Sequence, residues 1–305
     1  MKKLLFFTLF AALGLGSCLD KDDTYERLKP VMPGLEIVQR ARTQNHLAMQ
    51  PANAAFRLGM LLAEAGDEED LGSVMYAGGT VIGQLFDNLT TVEKVDAGYR
   101  ITFRPDIVGA DGYARSGSLL VKTNNVAQLA DTDAGHFWEV IPEEFDMKTV
   151  TNGSLSTVHL TGGRSSRVWA NGDGTYTVAA KNIIVGFDQA DYASDWTAQF
   201  TVKPADASLK YSACAGKDYE VEGNAEGVSC FSFDGQSAVS LSYELTDATY
   251  RTITAIRTGT EAASLISSNY NTATFPAREV LIEWSVDGDN RRMQTIRYNG
   301  SVVTI

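Results

Sequence analysis

The sequence is poor in the residues that most catalytic and metal sites are built from. Its 305 residues include three cysteines, Cys18, Cys214 and Cys230, and three histidines, His46, His136 and His159. Neither type clusters, and no Cys-x2-Cys or His-x3-His spacing occurs, so the pattern argues against a zinc site, and no metal or other cofactor is expected. Gly-x-Ser-x-Gly is absent, and the histidines have no obvious acidic partner placed to orient them, which leaves a serine hydrolase without its elbow or base. Phosphate loops are missing too, since neither Gly78-Gly79 nor Gly162-Gly163 runs into Lys-Ser or a helix start. Basic charge is in deficit: 26 Lys and Arg stand against 38 Asp and Glu, a net charge of −12. Nucleic acid is gripped largely by Lys and Arg neutralising phosphates, so that balance argues against it, and against a direct hold on anionic lipid heads.

What is present begins at the N-terminus. Lys2 and Lys3 form a short basic region, Leu4 to Leu15 an apolar stretch of 12 residues, and Gly16-Ser17 a small pair before Cys18. Twelve residues are too few to span a bilayer, which takes about 20. The segment resembles a bacterial lipoprotein signal peptide, with Leu15-Gly16-Ser17-Cys18 as its cleavage motif. The resemblance implies that residues 1–17 are removed and that Cys18 becomes the lipid-bearing first residue, attached to the membrane through its acyl chains. Leu19-Asp20-Lys21-Asp22-Asp23 is similar to the acidic stretch after the lipidated Cys in Bacteroidota surface lipoproteins. The resemblance implies export to the outer face of the outer membrane. A solvated tether that leaves the protein on the periplasmic face is the alternative. Without Lys2 and Lys3 the mature chain has 24 basic residues against 38 acidic, a net −14.

Along the rest of the chain a helical head precedes a β body. Leu35, Val38, Ala41 and Leu47, then Ala54, Ala55, Leu58, Leu61 and Leu62, recur at helical spacing with Pro51 between, predicting helices over about 34–49 and 52–65. The acidic run Asp67-Glu68-Glu69-Asp70 that follows lacks the regular ligand spacing of a calcium loop and reads as a solvated turn. From about residue 73 short runs rich in β-branched and aromatic residues predict strands over 99–103, 117–122, 175–185, 196–203, 239–244 and 280–286, with tight turns at Asn171-Gly172-Asp173-Gly174 and Asp287-Gly288-Asp289-Asn290. The expected fold is mainly β: an N-terminal helical pair followed by antiparallel sandwich-like modules. The expected division is 1–17 signal peptide, 18–30 tether, 31–70 helical segment, 71–166 first β module, 167–249 second β module and 250–305 closing strands.

An internal duplication would explain a set of matches. Val121-Lys122, Ala134-Gly135, Glu139-Val140, Val158 and Leu160 recur 81 residues later as Val202-Lys203, Ala215-Gly216, Glu220-Val221, Val239 and Leu241. Upstream, Tyr99 and Val108-Gly109 recur 77 residues later as Tyr176 and Val185-Gly186. Chance similarity between β-rich stretches is the competing explanation.

Candidate site residues are few. Cys214 and Cys230 suit either a disulfide, worth about 3 kcal/mol in the chain-entropy model, or two unpaired thiols on neighbouring strands. Glu139, Glu143, Glu144 and Asp146, near His136 and Trp138, form the densest polar neighbourhood and read as a strand edge followed by an acidic loop starting at Pro142. Trp138, Trp169, Trp196 and Trp284 each lie on or beside a predicted strand, where an indole either packs in the core or stacks on a sugar ring. Trp169, next to a turn, and Trp138 are the stacking candidates. The function these features suggest is a lipid-anchored surface protein with a non-catalytic binding or structural role, toward a glycan or another surface protein. The architecture resembles outer-membrane glycan-binding or adhesin-like lipoproteins. A polysaccharide hydrolase or lyase, with two facing carboxylates in a cleft, is the competing class.

Overall fold

A computed structural model describes residues 35–65, 75–76, 79–80, 90–96, 98–105, 113–123, 137–151, 154–162, 166–187, 193–204, 219–231, 237–252, 255–267, 278–298 and 300–304. The signal peptide, Cys18, the tether, the acidic run 67–70, His136 and Cys214 lie outside them.

Two helices open the fold, α1 (Leu35–Ala48) and α2 (Gln50–Ala65), separated by Met49 alone. Pro51 causes the interruption, because its ring would collide with the carbonyl of Leu47 in an unbroken helix. It sits in the first turn of α2, where a missing N–H leaves no helical bond unmade. Bonds from Met49 N to Asn45 O (3.0 Å) and Asn53 N to Met49 O (2.9 Å) carry the chain across the junction. Leu47, Ala48, Met49, Ala52, Ala54, Ala55, Phe56 and Leu58 are all buried, and so are Gln44, Asn45 and Gln50. Side chains at so many successive positions point in every direction around a helix, so the surrounding protein must enclose it.

The enclosing element is a sheet. Apart from a small hairpin of β1 (Met75–Tyr76) and β2 (Gly79–Thr80), fourteen strands form one antiparallel sheet. They are β3 (Thr90–Val95), β4 (Gly98–Phe103), β5 (Ala114–Thr123), β6 (Trp138–Thr151), β7 (Ser154–Gly162), β8 (Ser166–Ala170), β9 (Tyr176–Phe187), β10 (Ala193–Pro204), β11 (Tyr219–Phe231), β12 (Ser237–Thr252), β13 (Ala255–Ser267), β14 (Arg278–Val286), β15 (Arg292–Tyr298) and β16 (Ser301–Thr304). Each strand lies beside its chain neighbour from β3 to β16, except that β7 pairs β9 directly while short β8 pairs β6 and β9. The described strands therefore form one antiparallel sheet in nearly sequential order, with the two helices packed mainly on β6 and β8–β11, and a division into separate sandwich-like modules is not seen among them. Pairing runs without a break across 166/167, and β12 spans 249/250. The sheet buries its inner face on the helices, so it needs no second sheet to cover it.

The curvature of that sheet can be gauged from its contacts. Arg115 of β5 donates to Gln50 Oε1 at 3.0 Å, while Arg42 of α1 donates to Glu261 of β13 at 3.0 Å. Seven inter-strand steps separate β5 from β13 in the sheet, about 34 Å if it were flat. Eight helical residues separate Arg42 from Gln50, about 12 Å. Only a strongly bowed sheet brings both strands to the helices. Three strands supply bends: β6, β9 and β12 each place three residues opposite two of a neighbour. Glu144, Asn182 and Asp247 lie in these bulges in left-handed conformation, at φ 50°, 52° and 49°. Each bulge also switches the inward parity, from Trp138 and Val140 to Phe145 and Met147, from Val178 and Ala180 to Ile183 and Val185, and from Leu245 to Ala248.

The matched blocks occupy matched registers. Val121 faces Val140 and Lys122 faces Glu139 across β5 and β6, and Val202 faces Val221 and Lys203 faces Glu220 across β10 and β11. Tyr99 opposite Val121 recurs as Tyr176 opposite Val202, and Trp138 and Tyr219 are both buried at equivalent places. The two parts diverge beyond the β6 bulge. Val158 faces Met147, but Val239 faces Ser229 and not Val228, because β6 carries an extra residue that β11 lacks and one offset cannot hold on both sides of it.

Gly117 tests the bulges. Its φ is +82°, and a Cβ there would lie 1.9 Å from the carbonyl oxygen of Glu144, whereas Gly172, at φ +85°, has open space. Both Ala variants force a residue into left-handed backbone, but only Gly117→Ala also drives the bulge apart. Urea unfolding should show Gly117→Ala the more destabilising, by at least about 1–3 kcal/mol.

Candidate functional site

The structure separates the sequence candidates. Trp138 is 3% exposed and stacks on Tyr99, ring centroids 6.1 Å apart and planes 19° from parallel, so it packs the core and offers no face to a sugar. Trp196 is fully buried. Trp169 is half-buried on β8, before a turn that closes on itself: Asp173 Oδ1 accepts from Thr175 N at 2.9 Å and Thr175 Oγ1 at 2.6 Å. Those bonds hold the Asp173 carboxyl below its usual range. Cys230 lies on β11, opposite Ala238, and its pairing with Cys214 falls outside the described residues.

The acidic neighbourhood after Trp138 is strand, not loop. β6 runs through Pro142, Glu143 and Glu144 to Thr151. Pro142 is tolerated because β8 pairs only Trp138–Val140 and β7 only from Asp146 onward, leaving this stretch edge-like on one side. Glu143 Oε2 accepts from Arg100 Nε at 3.1 Å and Ser118 Oγ at 2.9 Å, and the Arg100 guanidinium holds its carboxyl below the usual range. The strands also give His159 the acid that the sequence did not show: its Nδ1 lies 2.6 Å from Asp146 Oδ1, on the facing residue of β6. Ser116 faces Asp146 from β5, so along this row the acid stands between the serine and the histidine.

A different cluster gathers on the inner face, where α1 meets β13, β14 and β15. Alternation with Ala263, with Val280 and Ile282, and with Ile296 and Tyr298 turns Glu261, Trp284, Arg292 and Gln294 inward. Arg42 grips Glu261 through two contacts, Nη2–Oε1 at 3.0 Å and Nε–Oε2 at 2.5 Å, and Glu261 is only 3% exposed. The same guanidinium lies 5.0 Å from the Trp284 ring centroid, and that of Arg292 lies 5.2 Å from it. Burial, and then repulsion from Arg42, push the Arg292 pKa below its ordinary value. Trp284 Nε1 and Gln294 Nε2 are buried N–H groups without a partner among the described residues, and the two residues face each other across β14 and β15. One turn further along α1, Asn45 Nδ2 donates to the Tyr243 hydroxyl.

Sequence reasoning noted Trp284 but missed Arg42, Glu261, Arg292 and Gln294. One signal was available: Glu261 shares a strand face with Gly259, Ala263 and Leu265, an odd place for a carboxylate without a partner. Chemically the cluster offers two cations, two N–H donors and one aromatic face against a single carboxylate already engaged. It is suited to receive oxyanions. Among the described residues no group of three or more His, Cys, Asp or Glu is placed to hold a metal ion, and no helix is long and apolar enough to cross a membrane. Comparison with known proteins finds no matching family model, no matching curated sequence and no matching solved structure. The class the fold defines is that of a mainly β protein, whose described residues form a fourteen-stranded antiparallel sheet, a small hairpin and two helices.

Two outcomes follow from the charges. Arg42→Ala should cost about 3–5 kcal/mol in denaturant unfolding, because it leaves Glu261 buried and unpaired, while Arg42→Met with Glu261→Leu should cost clearly less. Equal losses would place the cost in packing. At Glu143, the lowered carboxyl contributes stability above its ordinary pKa that fades as pH falls through the lowered one. Thermal melts should therefore show the gap between wild type and Arg100→Ala narrowing as pH drops into and below the carboxylate range.

Proposed function

We propose that this chain is a lipid-anchored surface protein that binds its ligand without transforming it, and that the ligand is a glycan. The observation that carries the binding part is the half-buried Trp284 indole on the inner face of the bowed sheet, with the guanidiniums of Arg42 and Arg292 against its ring and Gln294 opposite it. An aromatic face flanked by donors matches a sugar ring, whose apolar side stacks while its hydroxyls accept. Trp284 takes the stacking role that the sequence suggested for Trp138, and Trp169 keeps it as a second, turn-side candidate. Leu15-Gly16-Ser17-Cys18 carries the anchoring part, with Cys18 as the lipidated residue and Asp20, Asp22 and Asp23 directing export to the cell exterior. We also infer that the β body arose by duplication. The shared registers of Val121, Lys122, Glu139 and Val140 with Val202, Lys203, Glu220 and Val221 support it, the repeated unit being a set of strands within one sheet.

A glycan array probed with the detergent-solubilised protein, and scored for both retention and release of shortened products, tests the binding part. Retention without cleavage is expected, with loss of at least tenfold in affinity for Trp284→Ala. Shortened products would make the protein a hydrolase or lyase instead. The anchor is tested separately: Cys18→Ala should move the protein from the detergent phase to the aqueous phase or leave it unprocessed, and unchanged partition would end the lipoprotein reading.

A further inference from the structure

Resting on that reading of Trp284, we infer that the saccharide it takes is acidic, its carboxylate or sulfate group held by Arg292, with Arg42 as the second guanidinium against the ring. Two guanidiniums share one indole, their centres 5.0 and 5.2 Å from its centroid. Like charges gathered on one ring repel each other, and Glu261, gripped by Arg42 in two contacts, offsets only one of them. Arg292 has no carboxylate partner among the described residues, in a chain with twelve more acidic than basic side chains. So abundant an opposite charge makes an uncompensated arginine against a half-buried aromatic ring a place where an anion is missing. A planar guanidinium matches a carboxylate or sulfate edge with two parallel N–H donors. Trp284 Nε1 and Gln294 Nε2, facing each other across neighbouring strands, are buried donors at the inner edge of this cluster, and neither has an acceptor among the described residues. Donors and cations without matching acceptors describe the negative of an acidic sugar.

The roles divide by position. Arg292, at the start of β15 near the turn around Asp287–Asn290, lies with its guanidinium partly covered against Trp284 but is more open to solvent than Arg42, and is the residue that meets a ligand. Arg42 is largely covered and tied to Glu261, so it acts as a positioning residue that supplies fixed positive charge on the indole. Trp284 provides the stacking surface, and the side chains opposite each other on β14 and β15 set the spacing between the ring and the charge.

The test is calorimetric titration of the full-length protein in detergent, with oligogalacturonate, a neutral oligosaccharide of equal length, and sodium sulfate as probes. The acidic oligomer should bind at least tenfold more tightly than the neutral one, and its affinity should fall as salt rises. Arg292→Gln should abolish that preference, while Arg292→Lys should retain part of it. Equal affinity for acidic and neutral oligomers overturns the acidic inference but leaves the glycan reading standing. Sulfate binding as tightly as the oligomer refutes the saccharide and keeps the anion site. An acidic preference that survives Arg292→Gln, in protein whose melting temperature is unchanged, places recognition elsewhere and overturns the assignment.

Discussion

A helix covered on every side imposes a shape on whatever covers it. Between Leu47 and Leu58 almost every side chain is withdrawn from water, and Pro51 prevents the two helices from running on as one rod. Burial of Leu47, Phe56 and Leu58 alone is worth about 1.5–3 kcal/mol each, and removing Phe56 would forfeit more, because the cavity left behind adds to the loss. A flat sheet covers one face of a helix. Covering all of them requires the sheet to bow, and the bow brings residues far apart in the sheet, such as Arg115 and Glu261, onto neighbouring turns of the same helices.

The bulges make that bow compatible with a continuous ladder. An extra residue in β6, β9 or β12 bends the strand and reverses which side chains face inward, so the strand continues across the bend with its apolar residues still on the helices. Gly117 and Gly259 stand at the crossings, where a Cβ would meet the backbone of Glu144 or of Ala248 at 1.9 and 2.5 Å. Similar registers in β4–β6 and β9–β11 show the same local solution used twice. The divergence beyond them marks where the bulge falls in β6 but not in β11.

Polar groups caught inside the bow are the other consequence. Arg42, Asn45 and Gln50 sit on buried helix faces and have to find partners on the sheet, which they do in Glu261, Tyr243 and Arg115. These pairs fix the orientation of the helices against the strands, since a buried charge or amide left alone costs more than its pairing returns. Among the described residues a few buried polar atoms stay without a hydrogen-bond partner, among them Trp196 Nε1, Ser166 Oγ and, facing each other on β14 and β15, Trp284 Nε1 and Gln294 Nε2.

Local sequence determined a good deal. The helical periodicity on either side of Pro51 was legible, as was the change to β after residue 73, and five of the six predicted runs lie within strands, the sixth starting one residue before β9. The strand of β6 was not, because Pro142 and two glutamates argue for a loop unless one knows that the strand is edge-like there and bulged at Glu144. Sandwich modules were expected from strand count and spacing, but whether strands close into two sheets or continue as one depends on what covers their inner face. That is a property of the helices' position and not of any strand. The partners of Arg42, His159 and Trp284 were equally hidden, since they are 219, 13 and 10 residues away in the chain and adjacent only across the helix–sheet contact or a strand ladder. Short-range patterns of apolar residues decide which segments become helix or strand, because those forces act within a few residues. The direction and curvature of a fourteen-stranded sheet, and the charges it gathers, arise from contacts that exist only once the chain has closed around its helices.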